Sequence, residues 1–585
     1  MRRICMKDMI RRGDGNRRRD RRRLLLGAVA IVAATCPLSG SPDFPEVWSL
    51  FVPVDTSVGI SSLKSIPNSL PREGGKGSVA VREARFSATC LDLAAIAGGF
   101  KEQRRALVCA NVKRTTDTSL WVGTAADWWV TWYVNGKEAF KNGEGNVTTR
   151  YSVTNYLFEL PLKAGDNLIV VDARSGSQGF KLWAASGKEL ADARAELLRR
   201  FDERSRPVIE ESNRRIKQLR MGTLTVKAKA NATVSIRQLS HEFRFGTAIG
   251  GPYCTERDPD DQDSRRYRDT LKAYFNDAVH EGALKWPACE RDSSGRPDYS
   301  TADQVYDWCS RNGLTMRGHN IYSGADEKAM PKWVIPLDNA ALLRHMERRG
   351  KDVTAHFKGR IFEYDLCNEM IPRNWFAERL GPGIVADMAR WAREGDPKAQ
   401  LYLNDDGVTD GPDIGRYVDQ IRGFLKEGIP YGGIGTQSHF IGDIDLENAA
   451  RDLDSLGQFG LPIKITEFDL VTRDEAYKAK ALDGYYRLCF GHPAVAGILM
   501  WGFWEGRHWR PEAALWKRDW TVTPAGKVYT NLVTREWHTE VTGKADKNGM
   551  FKTPAFYGDY DISSAGKSIK AHFTRQDQTK VLEIQ

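Results

Sequence analysis

A chain of 585 residues, 41% hydrophobic and 10% aromatic, has enough apolar material for at least two domains and is neither disordered nor fibrous in composition. Its formal charge of +10 invites a nucleic-acid partner, but ten arginines, one lysine and three aspartates within residues 1–23 supply +8 of it. The rest of the chain is close to neutral, and binding to nucleic acid is excluded as its organising theme.

The basic leader runs into LLLGAVAIVAAT, Leu24 to Thr35. This uncharged stretch is too short for a comfortable membrane span and fits the apolar region of an export signal, so residues 1–40 are expected to direct export and the mature protein to carry no membrane-spanning segment. Arg21 and Arg22 before the leucines resemble a twin-arginine signal. Lipidation of Cys36 is the alternative to ordinary cleavage near residues 36–42, and Thr35 before it fits lipidation poorly. Of the nine cysteines, Cys5 and Cys36 belong to this leader region. The other seven show no CxxC pair and no Cys/His cluster at metal spacing, which argues against a structural zinc site. Cys90 and Cys109 are candidates for a disulfide after export or for two buried thiols.

Residues 41–77, rich in Pro, Ser and Gly, read as a linker. Residues 78–187 then read as short alternating strands, clearest in WWVTWYVNGKEAF, Trp128 to Phe140, where Asn135-Gly136 supplies a type I′ hairpin turn. PLKAGDNLIVVDA, Pro161 to Ala173, adds a turn and a strand. The region predicts a small β-sandwich and resembles the jelly-roll modules attached to many glycan enzymes, its tryptophans serving either the core or a sugar platform. Residues 188–220 have helical periodicity broken at Pro207 and predict a connecting pair of helices with a solvated, charged face.

From residue 221 to 537 strands alternate with helix-length segments. Eight candidate strands fall at 243–250, 275–286, 314–322, 361–370, 399–407, 432–440, 462–470 and 496–506, each with a polar or charged residue near its C-terminal end. Glu369, Asn404, Gln437, Glu467 and Trp501 are spaced by 35, 33, 30 and 34 residues, the length of a βα unit. This is the arithmetic of a (β/α)8 barrel with its chemistry at the C-terminal strand ends. A doubly wound open sheet is the alternative, but no Gly-rich phosphate loop supports it.

Glu369 and Glu467 each end an apolar run, where a carboxylate without a purpose would be expensive. In a closed barrel the fourth and seventh strand ends face each other, so the two side chains can meet although 98 residues separate them. Two carboxyls about 5–5.5 Å apart are what retaining glycoside hydrolysis requires.

Tyr364-Asp365-Leu366-Cys367-Asn368-Glu369 is similar to the acid/base motif Trp-Asp-Val-Val-Asn-Glu of the glycoside hydrolase family 10 xylanases, and Ile465-Thr466-Glu467-Phe468-Asp469 to their nucleophile motif Ile-Thr-Glu-Leu-Asp. GIGTQSHF, LNDD and MWGFWEGRHWRPEAAL complete the resemblance, which spans about residues 205 to 540. It implies a (β/α)8 glycosidase acting on a xylan-like polysaccharide, with Glu369 as acid/base and Glu467 as nucleophile. It also implies that Glu281, Lys285, His319, Asn368, Asn404, Gln437, His439, Trp501 and Trp509 bind substrate. Burial beside an ionised carboxylate would raise the pKa of Glu369, and His439 bonded to Glu467 would favour the charged nucleophile. No cofactor or metal is implied. The oligomeric state is open, with a monomer expected.

The resemblance has two gaps. The second-strand motif Glu-Asn-x-x-Lys-Trp appears as Glu281-Gly282-Ala283-Leu284-Lys285-Trp286, and the third-strand motif keeps His319 but has Ser323-Gly324 in place of Trp-His. In the family these positions line the glycone side of the cleft, so another β-glycan is the second reading and a non-catalytic carbohydrate-binding barrel the third. Residues 538–585 predict a short β-rich tail that resembles a C-terminal addition found in part of the family.

Overall fold

A computed structural model describes residues 44–142, 151–176, 179–254, 261–325, 327–577 and 580–584. The expected export signal lies outside them. Two antiparallel sheets open the fold. One runs edge to edge through Arg82–Ala84, Trp48–Phe51, Arg105–Arg114, Gly165–Ser175, Trp128–Val134 and Lys137–Lys141, and the other through Tyr156–Leu162, Thr118–Ala126, Lys181–Ser186 and Cys90–Asp92. Strand alternation sends Val108, Trp132, Ile169 and Val171 inward to meet Val122, Phe158, Leu160 and Leu182. Asn135 and Gly136, with φ of 52° and 79°, turn the hairpin in the left-handed region that a type I′ turn demands.

The segment 41–77 is not a free linker. Trp48–Phe51 is an interior strand of the larger sheet, paired with Arg82–Ala84 and with Arg105–Arg114. Val54, Ile60, Leu70 and Val79 then cover that sheet's outer face over Leu107, Cys109, Leu168 and Val170. This second layer explains the cysteines. Cys109 faces the outer layer while Cys90 belongs to the other sheet, and both are free thiols. Burial pushes the Cys109 thiol up to about 12.

One continuous helix, Gly187–Leu219, replaces the expected helix pair, with Pro207 in its interior. Such a proline removes a hydrogen bond and costs about 3 kcal/mol. Packing on both sides of Pro207 holds the helix together regardless. Leu190 lies against Val153 and Leu157 of the sandwich, and Phe201 and Ile216 enter the barrel core. Farther along, Ser212 sits against Gly491, where a Cβ would come 2.7 Å from the serine carbonyl.

The barrel strands are Arg244–Ile249, Asp277–His280, Thr315–Gly318, Glu363–Asn368, Gln400–Asp405, Gly433–Thr436, Ile463–Val471 and Val495–Met500. All pair in parallel, and the third closes on the fourth through Arg317↔Glu363 and Gly318↔Tyr364. Helices wrap the outside over one continuous core. Inside the base, Lys464 lies 3.1 Å from Asp277 and pairs with Glu363. Arg317, stacked 5.0 Å over Tyr402, donates to Asp365.

The barrel starts at Arg244 rather than 221, because residues 221–241 belong with the chain's end. Met221–Lys227 pairs with Met550–Phe556 and Val581–Glu583, and Thr233–His241 pairs with Glu540–Lys544 and Gly558–Ser564. Isolated hairpins from 538–585 would be marginal. The two upstream strands let them bury Leu224, Val226, Ile236, Tyr560, Ile562 and Phe573 in a separate core.

Candidate active site

The two glutamates stand where strand registry breaks. Pairing of the fourth with the fifth strand shifts between Asp365 and Cys367, and pairing of the seventh with the eighth shifts between Ile465 and Phe468. Such shifts re-aim side chains. Below the break Lys464 points to the ion pairs of the base, and above it Glu467 points to the mouth. Glu369 adopts φ of 58°, a left-handed conformation that costs a non-glycine residue about 1–3 kcal/mol and clusters at functional sites. Its neighbours hold it there. The Glu369 amide donates to the Asn404 carbonyl at 2.9 Å, and the following amides of Met370 and Ile371 donate to Asp405 at 2.8 and 3.0 Å.

Amides connect the carboxylates. Asn404 donates to Asn368 and to Glu467, each at 2.8 Å. Asn368 and Gln437 donate to Glu369 at 3.0 and 2.9 Å. On the other side of Glu467, His439 Nε2 is 3.4 Å from its carboxylate and His439 Nδ1 is 3.0 Å from Asp469. His319 Nδ1 bonds Asp365 at 2.9 Å and stands 4.0 Å from Glu467.

These surroundings drive the proton affinities apart. Burial raises the pKa of Glu369, Gln437 opposes it, and Glu467 and Asp406 push it further up. Burial also works against ionised Glu467, yet His439 and His319 outweigh it and leave its pKa below the usual carboxylate value. His439 is held well above its ordinary value because Asp469 and Glu467 overcome its desolvation. The site therefore has one carboxyl that holds its proton more tightly than a free glutamate and one that holds it less tightly, the division of labour that acid-assisted substitution needs.

A cavity of about 630 Å³ at the barrel mouth is lined by Glu369, Glu467, Lys285, His319, Asn368, Gln437, His439, Trp501 and Trp509. Trp501 is nearly buried and meets His319 edge to face at 5.0 Å. Trp509 is 41% exposed; its indole N–H donates to Asp469 at 2.8 Å and Arg510 lies 4.0 Å from its ring. Two of the expected substrate-binding residues lie elsewhere. Asn404 is fully buried beneath the carboxylates and positions them. Glu281 stands outside the lining with Arg507, both side chains crowding the space a Cβ on Gly250 would need.

Ser323 and Gly324 do not open the cleft. Tyr322–Ser323 pairs with the fourth strand, the Gly324 amide donates to the Asn368 carbonyl at 2.7 Å, and a Cβ on Gly324 would touch Glu369, Met370 and Arg373. The chain after Glu369 runs alongside Gly324 at van der Waals distance. Gly282, by contrast, has open space beside it.

Asp365, Asp405, Asp469 and Arg510 also shape the site, and none was singled out from the sequence. The signal for two of them is period-two spacing: Asp469 lies two residues beyond Glu467 on the seventh strand, and Asp365 bonds both Arg317 and His319, themselves two apart in sequence. Among the described residues, no group of three His, Cys, Asp or Glu side chains could hold a metal ion.

The sequence matches the model of glycosyl hydrolase family 10 over residues 236–532. It is 37% identical over 365 residues to the anti-sigma-I factor RsgI6 of Acetivibrio thermocellus, covering 61% of this chain and 46% of that protein. It is 31% identical over 367 residues to endo-1,4-beta-xylanase 1 of Arabidopsis thaliana, covering 61% of this chain and 37% of that one. The chain thus spans less than half the length of these relatives. Xylanase 10B of Thermotoga petrophila RKU-1, solved in complex with xylobiose, is similar at 23% identity and a TM-score of 0.46 over 50% of this chain and 95% of that one.

Proposed function

The chain belongs to glycosyl hydrolase family 10, and from that premise we propose that it cleaves β-1,4-linked xylan or a related plant polysaccharide with retention of anomeric configuration. The observation that carries this reading is the pair of carboxyls lining one cavity at the barrel mouth, Glu369 held by Asn368 and Gln437 and Glu467 by Asn404 beside His439, in surroundings that push the first pKa upward and the second downward. Protonated Glu369 gives its proton to the glycosidic oxygen as a Glu467 oxygen bonds to the anomeric carbon and the leaving sugar departs. Glu369, now ionised, takes a proton from water, whose oxygen attacks the same carbon and releases Glu467. His439 and His319 hold Glu467 ionised before attack, and Gln437 and Asn368 fix the Glu369 carboxyl. Trp501 and Trp509 offer ring faces to the sugar.

Export belongs to the same proposal, supported by the arginine-rich leader and the apolar run behind it. The test of function is hydrolysis of a panel of β-1,4-linked polysaccharides, followed by reducing-end release and by the anomer of the first product. Activity in the parent, its loss in Glu467→Ala and retained product configuration are expected. Polysaccharide binding without release of reducing ends would make the protein a non-catalytic binder, and an inverted product would overturn the double displacement.

A further inference from the structure

A second cavity, of about 270 Å³, lies between the N-terminal sandwich and the barrel mouth. The sandwich contributes Phe140, Asn142 and Tyr156, and the barrel contributes Val471, Arg473 and Glu512. Ile441, Trp509 and Arg510 line this cavity and the catalytic one alike, so the two adjoin at the Trp509 ring.

The junction is closely packed. Gly442, at φ of 81°, lies so close to Asn155 of the sandwich that a Cβ would come 2.4 Å from the asparagine amide nitrogen. Asn155 is buried and accepts from the Ser152 amide at 2.9 Å. The helix Gly187–Leu219 fixes the same two bodies from another side, with Leu190 in the sandwich contact and Phe201 in the barrel core. The second cavity is therefore framed by packed contacts on two sides.

Its chemistry is that of a sugar site. Trp509 is pinned at its N–H by Asp469 and presents a partly exposed ring. The rings of Phe140 and Tyr156 stand 5.7 Å apart on the opposite wall. Arg473, 44% exposed and 3.1 Å from Glu512, brings charged hydrogen-bonding groups to the edge. Aromatic faces with a few polar groups at the rim match a pyranose, which has apolar CH faces and an equator of hydroxyls.

We propose that this cavity is a distal subsite for the same glycan, so that a chain bound across Glu369 and Glu467 continues past Trp509 and rests further sugar units between sandwich and barrel. The inference rests on the glycosidase reading for the identity of its occupant. It makes the sandwich part of the substrate cleft, and it predicts a preference for long chains over short ones.

The test is calorimetric titration of the full chain, carrying Glu467→Gln to prevent turnover, with β-1,4-linked xylo-oligosaccharides lengthened one sugar at a time. Affinity should step up at the first length that passes Trp509. Tyr156→Ala on one wall and Arg473→Ala on the other should each lose that step, roughly tenfold in Kd, while binding of shorter oligosaccharides is unchanged. Arg473→Ala alters an exposed side chain, so it decides the matter should Tyr156→Ala lower the melting temperature. Equal affinities of variants and parent at every length, an equal loss at every length, or no binding at all would overturn the subsite. A length step in a protein that hydrolyses no polysaccharide with Glu467 restored would remove the glycosidase reading and keep the subsite. Hydrolysis with a length profile that the two variants do not change would do the reverse.

Discussion

The two ends of the barrel interior handle charge in opposite ways. At the base, Lys464 and Arg317 are buried with Asp277, Glu363 and Asp365, cation against anion. At the mouth, Glu369 receives only amide donors, while Glu467 receives an amide and a histidine. Direct pairing at the base sets each buried cation against a carboxylate. Amides at the mouth satisfy the carboxyl oxygens without fixing their charge, so burial and the histidines are free to separate the two pKa values. Asp365 joins the two regimes, since it accepts from Arg317 below and His319 above.

The sharpest way to break the mouth is to neutralise one carboxyl at a time. Glu467→Gln should lower kcat by at least about 10⁴-fold, because no other group supplies the attacking oxygen. Glu369→Gln should cost about 10²–10⁴-fold and alter the pH profile as well. Parent activity should fall at high pH as Glu369, whose pKa is raised, loses its proton, and at low pH as Glu467, whose pKa is lowered, gains one. Glu369→Gln should erase the high-pH limb and keep the low-pH limb, which a pH series of kcat/KM will show.

Breaking the link between the two ends should be felt in stability. Asp365→Leu leaves buried Arg317 with only the partly exposed Glu363, 3.7 Å away, and urea unfolding should show a loss of about 3 kcal/mol. Asp365 is itself held below the ordinary carboxylate value, because Arg317 and His319 together outweigh its burial. Its contribution is thus complete above the unfolded pKa and disappears as pH falls through the lower folded one. The variant should accordingly be less sensitive to acid than the parent.

The two gaps in the third- and second-strand motifs give the smallest and most discriminating pair. Gly324→His sets its Cβ in van der Waals contact with Glu369, Met370 and Arg373 and must fit the imidazole beside them, which should cost about 1–3 kcal/mol by thermal unfolding. Gly282→Asn faces open space and should change stability by no more than about 0.5 kcal/mol. If the added amide reaches the sugar, KM should fall while kcat holds.

The barrel was legible because its eight strands are short apolar runs that each end in a polar group, and because both glutamates sit inside sequence motifs. Less was legible wherever structure depends on distant partners. Val54, Ile60, Leu70 and Val79 are too widely spaced to announce a strand, yet together they cover a sheet. Thr233–His241 finds its partners some three hundred residues downstream. Pro207 argues locally for a break that packing on both sides overrides. Within the site, Asn404 looked like a ligand-binding residue because nothing in a strand-end asparagine tells whether it faces the cavity or the carboxylates behind it. Ser323 and Gly324 read as missing side chains, because nothing local says that the chain after Glu369 packs alongside Gly324.

The unbroken helix Gly187–Leu219 carries a consequence for how this architecture can vary. Its first turn is keyed to the sandwich and its later turns to the barrel. One residue inserted between those contacts would rotate one body against the other by about 100° and shift it by about 1.5 Å. The Asn155–Gly442 contact would be torn open and Trp509 would lose its facing wall. A whole added turn would restore the phase but still move the bodies about 5.4 Å apart along the axis, so the length of a single helix sets how far the cleft extends.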